Sequence, residues 1–358
     1  MKIRTAVTHC GILRLRRDVR TAQAHYAERP GRLLRVEDAE GRVGFGEASP
    51  LTDAEPTFAL ESAALALEGQ QVPEALDAVL ALVQGAISRE FPASRYALEL
   101  ALLELMCQAR DVSLARLLNP RARETVDVNA LLDAESPDLL ANEARTRAAE
   151  GFRTLKVKVG RGTLEVDVLR LEAVRRAVGP SVRLRADANG AWGLSRARAA
   201  LEAFVPLELE LLEQPLAVGE ELALGELCKL KLCLLAADES VGVPSALERL
   251  REGRGFRVAV LVLKPTVLGG LLPALALAQE ASEAGVEAYV THALEGPWAR
   301  AGAVHLAAAI PQSSLASGVC LAPAADFVWN PGCAWSSRDP SAALVATGGS
   351  IRLPEVTR

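Results

Sequence analysis

The feature that most constrains the fold is a repeat. Eight strand-like runs, TVDVNAL, TLKVKVG, VRLRADANG, LELLEQP, CLLAADES, VAVLVLKP, VEAYVTHA and SSLASG, have their middles near residues 128, 156, 185, 211, 236, 262, 289 and 315. Each step is 25 to 29 residues, the span of one strand, turn and helix. Helical stretches such as LEVDVLRLEAVRRAVG, SRARAALEAFV and LPALALAQEASEAG fill the gaps, the last ending at a glycine suited to a left-handed cap. Eight even units predict an α/β fold closed into a TIM-like barrel. An open doubly wound sheet is the rival, but it needs a crossover and usually has fewer evenly spaced units.

The chain has 358 residues, more than this barrel needs. The surplus lies mostly at the start. LLRVED and RVGFGEA read as an antiparallel meander turning at Gly41, and EPTFALESAALALEG, PEALDAVLALVQGAIS and PASRYALELALLELMCQA read as helices. The expected division is an α+β region over 1–120, a barrel over 121–320, and a tail over 321–358, with Trp329, Pro331 and Trp335, that returns to the N-terminal region.

Half the residues are apolar but only 4% aromatic, as expected of a Leu, Ala and Val core between helices and parallel strands. The net charge of −5 and the lack of a basic stripe exclude nucleic acid as an expected partner. Arg and His interrupt the opening MKIRTAVTHCGILRLRR before a signal core forms, and no run is long enough to span a bilayer. The expectation is a cytoplasmic protein without a membrane partner. Six scattered cysteines with no C-x-x-C pair read as reduced packing residues.

Charges sit at the ends of runs that otherwise read as buried strand, where an isolated ionised group is costly. Lys156 and Lys158 are two apart, so a strand puts both amines on one face; they fit either a barrel interior or an exposed edge. Neighbouring amines lower each other's proton affinity, which would suit one of them to act as a base. Asp187, Glu213 and Asp238 end the third, fourth and fifth runs, so closure would gather them at the C-terminal mouth where barrel sites lie. A single such acid would read as a helix cap; three consecutive ones call for a divalent cation, and oxygen-only ligands point to Mg2+ or Mn2+. Lys264 ends the sixth run, four strands from Lys158, so the two amines would flank the acids. Proton abstraction beside a carboxylate on a small-molecule substrate fits such a site. Gly269 and Gly270 follow, suited to backbone approach to a substrate anion or to a tight turn.

The K-x-K of LKVKVG, D-A-N of RADANG, E-Q-P of LLEQP, D-E-S of AADES and the late lysine of LVLKPTVLGG together resemble the muconate-lactonizing branch of the enolase superfamily. The resemblance covers nearly the whole chain. It implies a modified (β/α)7β barrel beneath a capping domain formed by the N-terminal region and the C-terminal tail. It implies Mg2+ ligands at Asp187, Glu213 and Asp238, an acid/base lysine at Lys158, an opposing lysine at Lys264 and an auxiliary amine at Lys156. Asn189 and Glu239 would orient these groups. A flexible capping loop would fall at Arg17 to Arg32, and Arg20, Gly269, Gly270 and Thr291 would meet substrate.

Within that branch, the K-P-T-V-L-G-G context, GFGEASPLTD and EGPWARAGAVHLAAA resemble o-succinylbenzoate synthases, implying a dehydration. N-acylamino acid racemases are the alternative, and a barrel retained only for binding a distant one. The D-x-D pair usual in dipeptide epimerases is missing from GVCLAPAAD, which has only Asp326. Thr291 and His292 stand where many relatives carry serine; His292 could touch a carboxylate or simply pack, and His305 reads as structural.

Overall fold

The N-terminal alternation builds a meander. The computed structural model describes residues 1–20, 25–51, 55, 58–252, 255–311, 313–319, 326–329, 345–347 and 350–353; side chains at 14–20, 25–27, 326–329, 345–347 and 352 lie outside the described set. Strands β1 (Ile3–Arg20), β2 (His25–Asp38) and β3 (Val43–Ala48) pair antiparallel in chain order. Gly41 turns β2 into β3 with a φ of 82°, a conformation that costs glycine nothing.

The segment Arg17 to Arg32, expected as a capping loop, includes the end of β1 and the start of β2, with Thr21 to Ala24 outside the described residues. Beyond a register shift, Val19 lies opposite Tyr26 and Arg20 opposite His25, so backbone groups of the two arms satisfy one another. The side chains of Arg17 and Arg20 lie outside the described residues.

Three helices follow, α1 (Phe58–Leu67), α2 (Leu76–Ala86) and α3 (Pro92–Arg110), then the short α4 (Leu114–Leu118). The glycines of GFG let β3 lie against α3. A Cβ on Gly44 would stand 2.0 Å from the Ala101 carbonyl oxygen, and one on Gly46 1.7 Å from that of Ala97.

The barrel units are β4 (Thr125–Asp127), β5 (Ala130–Leu132), α5 (Pro137–Ala149), β6 (Thr154–Lys158), α6 (Leu164–Val178), β7 (Arg183–Asp187), α7 (Leu194–Phe204), β8 (Leu211–Glu213), α8 (Glu221–Cys228), β9 (Leu234–Ala237) and α9 (Pro244–Leu250). After a small ribbon of β10 (Arg251–Glu252) and β11 (Gly255–Phe256) come β12 (Val260–Leu263), α10 (Pro265–Leu268), α11 (Leu271–Glu283), β13 (Glu287–Val290) and α12 (Pro297–Ala309). Seven strands form one parallel sheet in the order β13-β12-β9-β8-β7-β6-β5.

The eighth run, SSLASG, closes it. Ser317 bridges Val128 and Gly318 bridges Thr291, both parallel, so the two edges meet through this segment. The first run, read as one strand, is split by the same closure. Its start, β4, pairs antiparallel with a C-terminal strand, and only from Val128 onward does it face the barrel.

The tail supplies β14 (Asp326–Trp329), antiparallel to β1, then β15 (Val345–Thr347) and β16 (Ser350–Arg352), the last paired with β4. Pro331 and Trp335 lie outside the described residues.

Buried charged side chains from the N-terminal region tie it to the barrel. Glu47 on β3 accepts from the backbone N–H groups of Gly296 (2.5 Å), Trp298 (3.1 Å) and Ala299 (3.3 Å), capping α12. Arg29, with 2% exposure, donates to the carbonyls of Ala293, Leu294, Ser49 and Pro50, so this arginine serves packing. Glu99 on α3 caps α11, accepting from Leu271 N–H at 2.5 Å and Leu272 N–H at 3.0 Å.

Burial pushes the Glu99 carboxyl up from 4.5 to about 8, outweighing those two bonds, and its Oε2 has no hydrogen-bond partner. A raised folded-state pKa means a contribution to stability that is full below pH 4.5 and is lost as pH rises through 8. Glu99→Gln keeps an acceptor for the helix but cannot ionise. Its stability relative to wild type is expected to improve by roughly 4 kcal/mol across that window. Urea midpoints at pH 5 and pH 8.5 would check this; parallel pH profiles for the two proteins would exclude it.

Candidate active site

The period of two in each strand decides which side chains share the barrel interior. Leu211, Ala236, Val260, Val262, Tyr289 and Leu315 form a separate apolar cluster there, and Glu213, Asp238 and Lys264 stand two positions beyond Leu211, Ala236 and Val262. Backbone register sets Lys158 beside Asp187 and Asp187 beside Glu213, while Ala236, two residues before Asp238, pairs with Glu213. The expected lysines and acids therefore meet at the C-terminal end of the sheet.

Lys156 Nζ lies 2.7 Å from Glu213 Oε1 and 3.0 Å from Asp187 Oδ2. Lys264 Nζ lies 2.5 Å from Asp238 Oδ2. Lys158, 8% exposed, donates to Asn189 Oδ1 at 2.8 Å, with the Asp187 carboxylate 4.0 Å away. Asn189 in turn donates to Glu239 Oε1 at 3.0 Å, and its own N–H bonds Asp187 Oδ1 at 3.0 Å. Asn189 thus joins the acid to the lysine, in a left-handed conformation with φ of 45°.

The two opposed lysines are electrostatically unequal. Burial, with Lys156 and Lys264 nearby, holds the Lys158 ammonium below its ordinary value despite Asp187. Lys264 is partly buried, which works against its charge, yet Asp238, Glu239 and Glu213 outweigh that and hold it above its ordinary value. Among the acids, burial opposes the Asp187 carboxylate, but Lys156 and Lys158 overcome it and lower its pKa. Burial and the charge of Asp187 push Glu213 up to about 7.

As the side chains stand, no three Asp, Glu, His or Cys groups among the described residues are close enough to hold one ion. Asp187 and Glu213 converge on the Lys156 ammonium, whereas Asp238 is drawn to Lys264. The donor set nevertheless fits a hard divalent cation. The acids are buried carboxylates on adjacent strands, they already require positive charge between them, and Asp238 Oδ1 has no hydrogen-bond partner.

Other residues named from the sequence have structural partners. The N–H groups of Gly269 and Gly270 both bond the Pro265 carbonyl at 2.9 Å. Gly270 is needed because a Cβ there would stand 2.5 Å from Glu99. The Gly-Gly pair is therefore a turn that admits a capping carboxylate. Thr291 spends its hydroxyl on the Gly318 carbonyl at 3.1 Å, pinning the closing segment.

His292 Nδ1 accepts from Leu294 N–H at 3.1 Å, and burial with nearby cations lowers it to about 4. His305 is buried between α12 and α4, accepting from Ala115 N–H at 3.3 Å. Cys10, Cys107, Cys228 and Cys233 are free thiols, while Cys320 and Cys333 lie outside the described residues.

Sequence reasoning missed several groups. Gln214 accepts from Asp238 N–H at 2.8 Å and donates to Ser240 Oγ at 2.9 Å, locking the E-Q-P end to D-E-S. Tyr289 donates to Glu213 Oε2 from inside the barrel. Its signal was present: counting back by two from Thr291 puts a phenol on the inward face, where it needs a partner.

A family model described as enolase C-terminal domain-like matches residues 139–355. The chain belongs to the enolase superfamily. The hydrophobic dipeptide epimerase of Enterococcus faecalis is 30% identical over 318 residues, 86% of this chain and 88% of that protein. The o-succinylbenzoate synthase of Thermobifida fusca is 41% identical over 199 residues, 55% of this chain and 60% of that one. Among solved structures, the Enterococcus faecalis dipeptide epimerase complexed with Mg and L-Leu-L-Tyr superposes with a TM-score of 0.85 at 26% identity. The match covers 100% of this chain and 98% of that one. The protein is thus an enzyme of this superfamily, on the branch holding epimerases, o-succinylbenzoate synthases and muconate-lactonizing enzymes. Among the described residues no helix is long and apolar enough to cross a membrane.

Proposed function

We propose that this enzyme is an o-succinylbenzoate synthase, dehydrating 2-succinyl-6-hydroxy-2,4-cyclohexadiene-1-carboxylate to 2-succinylbenzoate. The observation carrying this reading is the inequality of the two lysines. A syn-dehydration needs one amine that gives up and regains a proton and, opposite it, a charge that stays fixed. Lys158, bonded to a neutral amide oxygen, suits the first task; Lys264, ion-paired at 2.5 Å, suits the second.

Asp187, Glu213 and Asp238 would hold Mg2+, which supplies positive charge to the substrate carboxylate as its neighbouring carbon loses a proton. Lys158 Nζ takes that proton as a neutral amine. As an ammonium it returns the proton to the departing hydroxyl on the same face. The C–O bond breaks, water leaves, and the ring becomes aromatic. Asn189 holds Lys158 in place between the two steps, and Lys264 contributes a constant positive charge from the other side. Residues 1–120 and the tail 321–358 would form the cap over the barrel of 121–320.

The purified protein is expected to consume the diene only when Mg2+ is added, followed by loss of its ultraviolet absorbance. No turnover at saturating Mg2+ would end this assignment. One observation supports a second reading, N-acylamino acid racemase: the two amines come from β6 and β12, with the three acid-bearing strands between them. Solvent deuterium entering both enantiomers of an N-succinyl amino acid, with no diene turnover, would favour it. The shared K-P-T-V-L-G-G context and the missing D-x-D pair support the synthase over a dipeptide epimerase; the Asp326 side chain lies outside the described residues.

A further inference from the structure

Glu213 has no exposure, and both its carboxylate oxygens are engaged. Oε1 faces Lys156 Nζ at 2.7 Å, and Oε2 accepts from the Tyr289 hydroxyl. These partners differ in freedom. Lys156 reaches the acid on a flexible four-carbon stem and keeps 13% side-chain exposure, so it can withdraw toward the mouth.

Tyr289 cannot. It is 1% exposed, and the Arg185 guanidinium carbon lies 4.8 Å from its ring centroid. Arg185 is itself fixed, by Glu210 at 2.5 Å and the Ala316 carbonyl at 2.8 Å. The phenol is buried in the barrel interior, in the apolar cluster with Leu211, Ala236, Val260 and Val262.

We infer that Tyr289 is a positioning residue which, by holding Glu213 Oε2, leaves Oε1 as the single ligating oxygen of this acid and so biases the site toward Mg2+ over Ca2+. The inference rests on the metal reading proposed above. Mg2+ takes near-octahedral coordination at short distances with carboxylates binding through one oxygen, whereas Ca2+ accepts six to eight oxygens and often a bidentate carboxylate. Each carboxylate oxygen has two lone pairs, so an Oε2 held by a rigid phenol could join the ion only through its remaining lone pair and in the tilt the phenol allows, which disfavours bidentate binding. The preference is thus built into a residue that need never touch the ion.

The test is calorimetric titration of the full-length wild type and Tyr289→Phe with Mg2+ and with Ca2+, with melting curves to show that both are folded. The variant keeps the ring on Arg185 and frees Oε2. Its Mg2+/Ca2+ affinity ratio is expected to fall by about tenfold, the scale on which groups behind metal ligands act. An unchanged ratio, including equal weakening of both ions as mere loss of packing would give, overturns the inference. Wild type binding neither ion defeats the metal reading itself, and the inference with it. A structure of the wild type with Mg2+ gives a check independent of the variant: ligation through Oε1 alone is expected, and Glu213 bidentate on the ion would overturn it.

Discussion

Lys158→Ala is expected to lower kcat by about 10²- to 10⁴-fold, the contribution of a positioned acid/base group, while leaving Mg2+ uptake and the melting temperature near wild type. The structure makes that separation testable. Lys158 Nζ is 4.0 Å from the nearest Asp187 oxygen, while Lys156 Nζ is at 3.0 Å, so the acid keeps its close cation when Lys158 is truncated. What is lost is the one amine held by a neutral partner and kept below its ordinary proton affinity by burial. Steady-state kinetics on the diene, with calorimetry for the ion, would decide the point. A variant within tenfold of wild type in kcat would remove Lys158 from the chemistry.

Asp187→Asn should have the other large effect, on the ion as well as the reaction. The amide can still accept the Asn189 N–H, so the turn is retained. It supplies no charge, and Asp187 is the acid that faces both Lys156 and Lys158. We expect Mg2+ affinity to fall by at least about 100-fold, since a charged ligand oxygen is exchanged for a neutral one, with activity falling in step. Titration of the variant with Mg2+ measures this directly. Undiminished affinity would mean the three acids do not share an ion.

Much of the architecture was legible because repeat length and strand alternation are local properties. The even spacing announced the barrel, and the alternation in TLKVKVG placed Lys156 and Lys158 on one face. The lone lysine closing an apolar run marked Lys264 in the same way. Misreadings came where a segment's partner lies far along the chain. TVDVNAL looks like one strand, yet it changes partners at Val128 because β16 pairs with its first half. Nothing local in the sequence shows that Arg29 is consumed by four carbonyls from two segments, Ser49–Pro50 and Ala293–Leu294.

By itself the sequence determined which residues share a strand face and which strand ends carry charge, because both follow from the chain's own periodicity. Only the tertiary structure decided how those charges are shared. The Glu213 carboxylate lies between Lys156, 57 residues before it, and Tyr289, 76 residues after. Glu47 caps a helix that begins some 250 residues later. The physical reason is that a buried polar group must find a partner, and in a closed barrel the nearest one across the interior has no fixed distance along the chain.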